Sequence, residues 1–238
     1  MYIQRKPQGW LSEYIDTFWY YKNDRNETLN FSILPDGRAD IVFEDGFMKP
    51  EVVGCMTHPL DITIARGDIS AGIGLKPGCA SAFLKTPLSE FTDLSIPYDL
   101  ISKDRVEFDE KIAVSPSHEK IFREFERFLS SIFQEAPYDK TSLRATQMIS
   151  RSGGILPVSE VAKKLNISRR HLERLFREEI GIPPKQFSRI VRYQNARYML
   201  KSGKFDHLSQ IAAESGYFDQ SHFYKDYKDL TGNYPEPA

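Results

Sequence analysis

Two stretches in the second half of the chain match each other, and that match restricts the fold more than any other feature. Val161/Ile211, Ala162/Ala212 and Asn166/Gly216 stand 50 residues apart, while Leu172/Phe223, Phe176/Tyr227 and Gly181/Gly232 stand 51 apart. One residue is therefore inserted at the turn of the second copy. Each copy reads as helix, turn, helix. Ala162 or Ala212 sits where the second helix crosses closely over the first, and Asn166 or Gly216 sits where a positive φ is needed and a Cβ is costly. In the helix after the first turn, Leu172, Leu175 and Phe176 fall on one face. Arg169, Arg170, Glu173, Arg174 and Arg177 fall on the other. Such a helix can be anchored on one side while presenting guanidinium groups to a major groove. A single helix-turn-helix pattern is weak, and arginines on a helix face usually form a solvated surface. Two matching units joined by one helix, Pro183 to Ser202, are far harder to obtain by accident.

Charge follows the same division. Residues 139–238 carry 17 Lys and Arg against 11 Asp and Glu, a net +6, whereas residues 1–138 carry 15 against 22, a net −7. The whole-chain charge of −1 hides a basic half suited to a polyanion. A length of 238 residues suits two domains, and 40% hydrophobic residues are enough for two cores. There is no apolar run of membrane-spanning length, and Met1 to Pro7 lacks the apolar core of a secretory signal. Only Cys55 and Cys79 occur, so a cytoplasmic location is expected.

The first half has a different period. From Tyr14 to about Ile96 short segments of high strand propensity alternate with turns: Ile15–Tyr21, Phe31–Leu34, Ala39–Phe43, Glu51–Val53, Asp61–Ile64 and Ile69–Leu75. Pro35-Asp36-Gly37 suits a tight turn. Between Ser117 and Phe133 the apolar residues Ile121, Phe125, Phe128, Leu129, Ile132 and Phe133 form a helical stripe, which packs on its own domain or supplies a dimer contact. The expected fold is α+β: an antiparallel β-rich domain over residues 1–112, an amphipathic helix and linker over 113–137 closed by Pro137, and an all-α domain over 138–238 with two helix-turn-helix units.

Residues 155–235 resemble the DNA-binding domain of the AraC/XylS family of bacterial transcription regulators. The matching residues are Val161-Ala162, Ile167-Ser168-Arg169-Arg170-His171-Leu172-Glu173-Arg174-Leu175-Phe176, Gly181-Ile182-Pro183-Pro184, Arg192 with Ala196, Ile211-Ala212, Gly216-Tyr217, Asp219-Gln220-Ser221-His222-Phe223, and Thr231-Gly232 with Pro235. The resemblance implies a seven-helix domain whose two recognition helices enter successive major-groove segments. It places base readout on Arg170, Glu173 and Arg174, and on Gln220, Ser221, Tyr224 and Lys225 with His222 beside them. Lys225 and Lys228 are suited to phosphate or groove contacts, and Arg169 and Arg177 complete the basic face turned to the major groove. Glu173 also has Arg169 and Arg177 four residues away, so an intrahelical ion pair competes with base readout. The family favours arginine where Lys225 stands and phenylalanine where Tyr227 stands, and the last residues lack a basic tail. The second unit is therefore expected to read less sequence than the first.

Gly72 to Leu84, with Leu34-Pro35-Asp36-Gly37 before it, resembles an N-terminal domain that accompanies some family members; the resemblance names no ligand. Trp10, Trp19 and Tyr21 are candidates to line an effector pocket, although aromatics on strands are more often core. Cys55-Met56-Thr57-His58 with Cys79 lacks the fourth ligand of a structural metal site, and only Lys76 stands near Cys79 to activate it as a redox thiol. No Walker loop, Gly-x-Ser-x-Gly or His-Glu-x-x-His is present, so the chain is not expected to be an enzyme or to need a cofactor. The expected function is a DNA-binding transcription regulator, an activator under small-molecule control. Promoter DNA, RNA polymerase, an effector and a second copy are its expected partners. A sequence-indifferent architectural protein and an enzyme tethered to DNA are the alternatives.

Overall fold

The computed structural model describes residues 1–44, 49–102, 117–134, 140–203, 205 and 207–236. The N-terminal half is built on two antiparallel sheets. Strands β1 (Tyr2–Arg5), β2 (Ile15–Lys22), β4 (Asp40–Glu44), β5 (Lys49–Val53), β7 (Ile69–Leu75) and β8 (Ser95–Pro97) form a six-stranded sheet in the order β1-β2-β7-β4-β5-β8. Strands β3 (Leu29–Ile33) and β6 (Leu60–Ile64) pair separately. Pro35-Asp36-Gly37 is thus not the turn of a hairpin between its flanking strands. It is a corner that carries the chain from the small sheet to the large one, with Gly37 at φ 81°. Strand β1 is an edge strand held by β2 alone, and too little local pattern marks it in the sequence.

Period-two alternation assigns the faces of the large sheet. Phe18, Tyr20, Ile41, Phe43, Val52 and Ile73 are buried on one face. They meet the apolar stripe of the helix His118–Ile132, called α2 because a short α1 (Tyr98–Ile101) precedes it. Rings interleave there: Phe43 lies 4.7 Å from Phe125 and Phe18 lies 5.9 Å from Phe122, centroid to centroid. The stripe is consumed by its own domain's core, which takes the apolar face from the expected dimer contact. Ser117 caps the helix by accepting the Lys120 N–H, and the helix stops at Ile132. Pro137, expected to end it, lies outside the described residues.

The second half is helical: α3 (Thr141–Arg151), α4 (Val158–Lys164), α5 (Arg169–Glu179), α6 (Pro184–Ser202), α7 (Leu208–Glu214) and α8 (Gln220–Thr231). Six α-helices among the described residues stand against the seven that the resemblance implies. Gly232, in the left-handed region at φ 76°, stops the last of them, and Pro235 and Pro237 follow. Two cores form here, one per helix pair. Leu172, Phe176, Phe187, Ile190 and Tyr193 belong to the first. Ala196, Leu200, Ile211 and Phe223 belong to the second, and Tyr227 packs against both.

Candidate nucleic-acid interface and adjoining cavity

The two units close in the same way. In the first, the Asn166 N–H donates to the Lys163 carbonyl (3.0 Å) and the Ile167 N–H to the Ala162 carbonyl (3.1 Å). In the second, the Gly216 N–H donates to Ala213 (3.0 Å) and the Tyr217 N–H to Ala212 (2.9 Å). Both turns need the positive φ expected of them, 55° at Asn166 and 75° at Gly216. Each following helix is capped by a side chain: Ser168 accepts the His171 N–H (3.1 Å) and Asp219 accepts the His222 N–H (2.7 Å). The residue inserted in the second copy is Phe218, between the closure and the cap, and it stands 92% exposed.

The two units are braced on α6. Arg189 of that helix pairs with Asp226 (2.8 Å) and Asp229 (2.7 Å) of α8. Arg192 lies over the Tyr217 ring and donates to the Gly154 carbonyl (3.2 Å), joining the turn before the first unit to the turn of the second. Gly216 packs against Ile155 so closely that a Cβ would lie 2.6 Å from it.

On α5, Arg169, Arg170, Arg174 and Arg177 are exposed, and Glu173 is half-buried. Arg169 pairs with Glu173 (3.0 Å), the ion pair that competed with base readout in the sequence. Arg174 pairs with Glu178 (2.8 Å) at i, i+4 spacing, a partner not singled out in the sequence. On α8, Gln220 donates to the Tyr224 hydroxyl (2.8 Å). Ser221, His222 and Lys225 are exposed. Lys228 turns toward Tyr234, 3.1 Å from its hydroxyl and 4.6 Å from its ring centre. The Arg and Lys heads therefore reach solvent on helices whose opposite faces are buried.

The other face of the large sheet and the apolar face of the small one enclose a cavity of about 600 Å³. Trp19, Tyr21 and Asp40 line it together with Tyr2, Glu51 and Phe31. Trp19 lies flat across Gly72, where a Cβ would come within 2.4 Å of the indole, and its Nε1–H donates to Asp40 Oδ2 (3.1 Å). Trp10, the third sequence candidate, is not among the lining residues. It packs on Phe133 with ring centres 4.5 Å apart. Tyr2, Asp40, Glu51 and Phe31 were not singled out in the sequence. The alternation Asp40-Ile41-Val42-Phe43-Glu44 was the signal that could have assigned Asp40 and Glu44 to a face opposite the core.

Cavity and helical region share a wall. Leu34, Asp36 and Arg38 line the cavity, and between them the Pro35 carbonyl accepts a hydrogen bond from Gln194 Nε2 of α6. Gly37 lies so close to Phe187 of the same helix that a Cβ would come within 2.7 Å of its ring. Further bonds run from Thr146 to the Pro77 carbonyl (2.8 Å), from Ser142 to Gly78 (3.0 Å) and from Thr92 to Gly181 (2.8 Å). Cys55 is buried in the core of the first helix pair, where desolvation pushes its thiol well above the usual range, so it is not poised as a thiolate. Cys79 is also buried, its Sγ 3.9 Å from the Glu13 carbonyl. Among the described residues no group of three or more His, Cys, Asp or Glu is arranged to hold a metal. Among them, too, no helix is long and apolar enough to cross a membrane.

Two helix-turn-helix units on one connecting helix, each presenting a capped basic or polar helix, define a DNA-binding module behind a β domain with a cavity. Residues 161–237 match a family described as a helix-turn-helix domain, and residues 3–97 match a domain of unknown function, DUF6597. The C-terminal region is an AraC-type helix-turn-helix domain, and DNA is the partner of such a domain. The chain is 33% identical over 86 residues to the Msm operon regulatory protein of Streptococcus mutans, covering 36% of this chain and 31% of that protein. It is 35% identical over 71 residues to an uncharacterized HTH-type transcriptional regulator of Haemophilus influenzae, covering 30% and 24%. The matched stretches thus span less than a third of either relative. A solved structure of ToxT from Vibrio cholerae aligns over 92% of this chain and 95% of its own, at 12% identity and a TM-score of 0.47. The family and these relatives are transcription regulators rather than enzymes.

Proposed function

We propose that this chain is a sequence-specific regulator of transcription that seats its two units on promoter DNA and answers to a small molecule in its β domain. The observation that carries the reading is the matched pair of closures and caps at 162–171 and 212–222, which holds two exposed, hydrogen-bonding helices on one brace. Arg170 of the first helix has the chemistry to be bidentate to guanine, and Arg174 becomes available by leaving Glu178. An exposed i, i+4 pair is weak, on the order of 0.3–0.5 kcal/mol, so exchange of Glu178 for a guanine edge or a phosphate costs little. Gln220 suits adenine, while Lys225 suits the backbone. In this reading the first unit specifies and the second positions.

The shared wall at 34–38 supports control by an effector. A ligand that shifts Leu34, Asp36 or Arg38 pulls on Pro35 and Gly37, which rest on α6, the helix to which both units are attached. Activation through contact with RNA polymerase in the cytoplasm belongs to the same proposal, as does a second copy bound at an adjoining half-site. The test is a footprint and binding titration on the chain's own upstream region against a scrambled duplex at two salt concentrations. Protection of a defined site with a clear preference over the scrambled duplex is expected. Equal affinities with a steep salt slope would point to an architectural binder and overturn the proposal.

A further inference from the structure

The cavity has a division of labour that no purely apolar pocket needs. Its roof, from β3 and β6, is Phe31, Ile33, Leu60, Ile62 and Ile64. Phe31 and Ile33 remain 40% and 44% exposed, a patch of apolar surface left without protein cover. Its floor, on the large sheet, is aromatic at one side and acidic at the other. Cross-strand register sets Tyr2 beside Tyr21, and Trp19 beside Gly72 and then Val42, with Glu51 opposite Val42 and Asp40 opposite Val53. Asp40 and Glu51 are thus diagonal neighbours on one face, roughly 7–8 Å apart at Cα.

The charges are unbalanced. Asp36, Asp40, Glu44 and Glu51 line the cavity, and Arg38 is the one cationic residue among the lining residues described. Arg38 is already engaged: its guanidinium bonds Asp36, one of those four carboxylates, at 2.6 Å and Asp16 at 2.8 Å, which leaves Asp40, Glu44 and Glu51 in excess among the described lining residues. Asp40 takes one hydrogen bond, from Trp19, while its Oδ1 is out of contact with water and has no hydrogen-bond partner among the described residues. Glu51 accepts a hydrogen bond from the Ser95 hydroxyl and forms no ion pair among the described residues. A carboxylate ligand entering here would meet like charge and no uncommitted cation. A cation would meet two carboxylates beside the Trp19 and Tyr21 rings that line the cavity, π systems that attract it.

We infer that the cavity binds a lipophilic organic cation, its charged centre held between Asp40, Glu51 and the Trp19 face and its apolar body against the roof of Phe31, Ile33 and Ile62. This rests on the effector reading above and names the chemical class of that effector.

Two probes of one shape and opposite charge test it: tetraphenylphosphonium and tetraphenylborate, titrated calorimetrically into the full chain at neutral pH. The phosphonium should bind with one-site saturation and the borate at least about tenfold more weakly, the scale of one decisive charge contact. Glu51→Gln and Asp40→Asn should each weaken phosphonium binding by a similar factor, with thermal unfolding confirming that the variants fold. Glu51 is the safer variant, since its carboxylate is more open to solvent than the Asp40 Oδ1. Borate binding as tight as phosphonium, no saturable phosphonium binding, or phosphonium binding unchanged by both variants would each overturn the inference. Site-specific DNA binding is measured separately without probe, so its loss would count against the regulator reading and leave the cation result standing. Phosphonium binding that leaves DNA affinity unchanged would keep the ligand class and remove its role as effector.

Discussion

Asn166 and Gly216 perform the same backbone task with different side chains, and the difference is set by what lies opposite. A positive φ strains any residue with a Cβ, less so asparagine than most. At Gly216 the Ile155 side chain also fills the space that a Cβ would need, whereas Gly232, at nearly the same φ, has nothing within 4 Å of that position. Gly232→Ala should therefore cost about 1 kcal/mol, the backbone part alone. Gly216→Ala should cost roughly 2–3 kcal/mol because a packing conflict is added; urea unfolding of the two variants measures the gap. Asp40 offers a pH-dependent counterpart. Burial pushes its carboxyl up to about 6, with Arg38 and the Trp19 hydrogen bond pulling down and Asp36 and Asp16 pushing up. The native state thus holds this proton more tightly than the unfolded chain, so its stabilising share is full below about pH 4 and is lost as pH rises through 6. Asp40→Asn should be more stable than the parent above pH 6 by on the order of 1–2 kcal/mol, with no gain below pH 4. Thermal unfolding across pH 4–8 is the measurement. A gain of the same size at every pH would show that ionisation of Asp40 is not its source.

At the scale of the element, the two recognition helices differ in how their polar groups are engaged. On α5, Arg169 and Arg174 are held by glutamates of the same helix, while Arg170 has no ion pair among the described residues. If Arg170 reads guanine, Arg170→Ala should cost about 1–3 kcal/mol in DNA binding and relax preference at one base pair, whereas Lys225→Ala should weaken all sequences alike. Competition binding against a library of single-base variants separates these outcomes. The placement of α8 depends on Arg189, which holds the buried Asp226. Arg189→Ala would leave that carboxylate without its main partner, at a cost of roughly 3 kcal/mol. Faster amide exchange should appear first in α7 and α8. The helix stripes and turns of both units were legible in the sequence because each depends on residues at most four or five apart. The ion pair of Arg174 with Glu178 obeys the same i, i+4 spacing, but Arg174 is four residues from Arg170 as well, so spacing alone does not say which group it meets.

Across the whole molecule, the corner at 34–38 touches both the cavity and the helix that braces the DNA-binding units. If this wall carries the effector's signal, Gln194→Ala should leave ligand binding and DNA affinity without ligand within about twofold while reducing the ligand's effect on DNA affinity severalfold, since coupling free energies are commonly 1–3 kcal/mol. Calorimetry and DNA titration with and without ligand give the three quantities. Unchanged coupling would direct attention to the other contacts between the halves, from Thr146 and Ser142 to the segment 77–78. The cavity itself was scarcely legible in the sequence. Trp19 and Tyr21 could be guessed from their aromatic character, but Trp10 looked equally suitable and packs elsewhere, on Phe133. Asp40 and Glu51 lay within strand candidates with no local signal that a second sheet would cover their face.

By itself the sequence determined the helix-turn-helix repeat, the division into a β-rich and a helical half, and the amphipathic helix between them. These follow from short-range periodicity and from residues tolerant of positive φ. Only the tertiary structure decided that Pro35-Asp36-Gly37 is a corner and not a hairpin turn. It alone showed that the stripe at 121–132 is spent on its own sheet, and that a second small sheet roofs the acidic face to make a cavity. Those outcomes depend on which strands pair across long stretches of chain, from Ile33 with Leu60 to Ile15 with Leu75, a choice made by the summed packing of both faces and by no single segment.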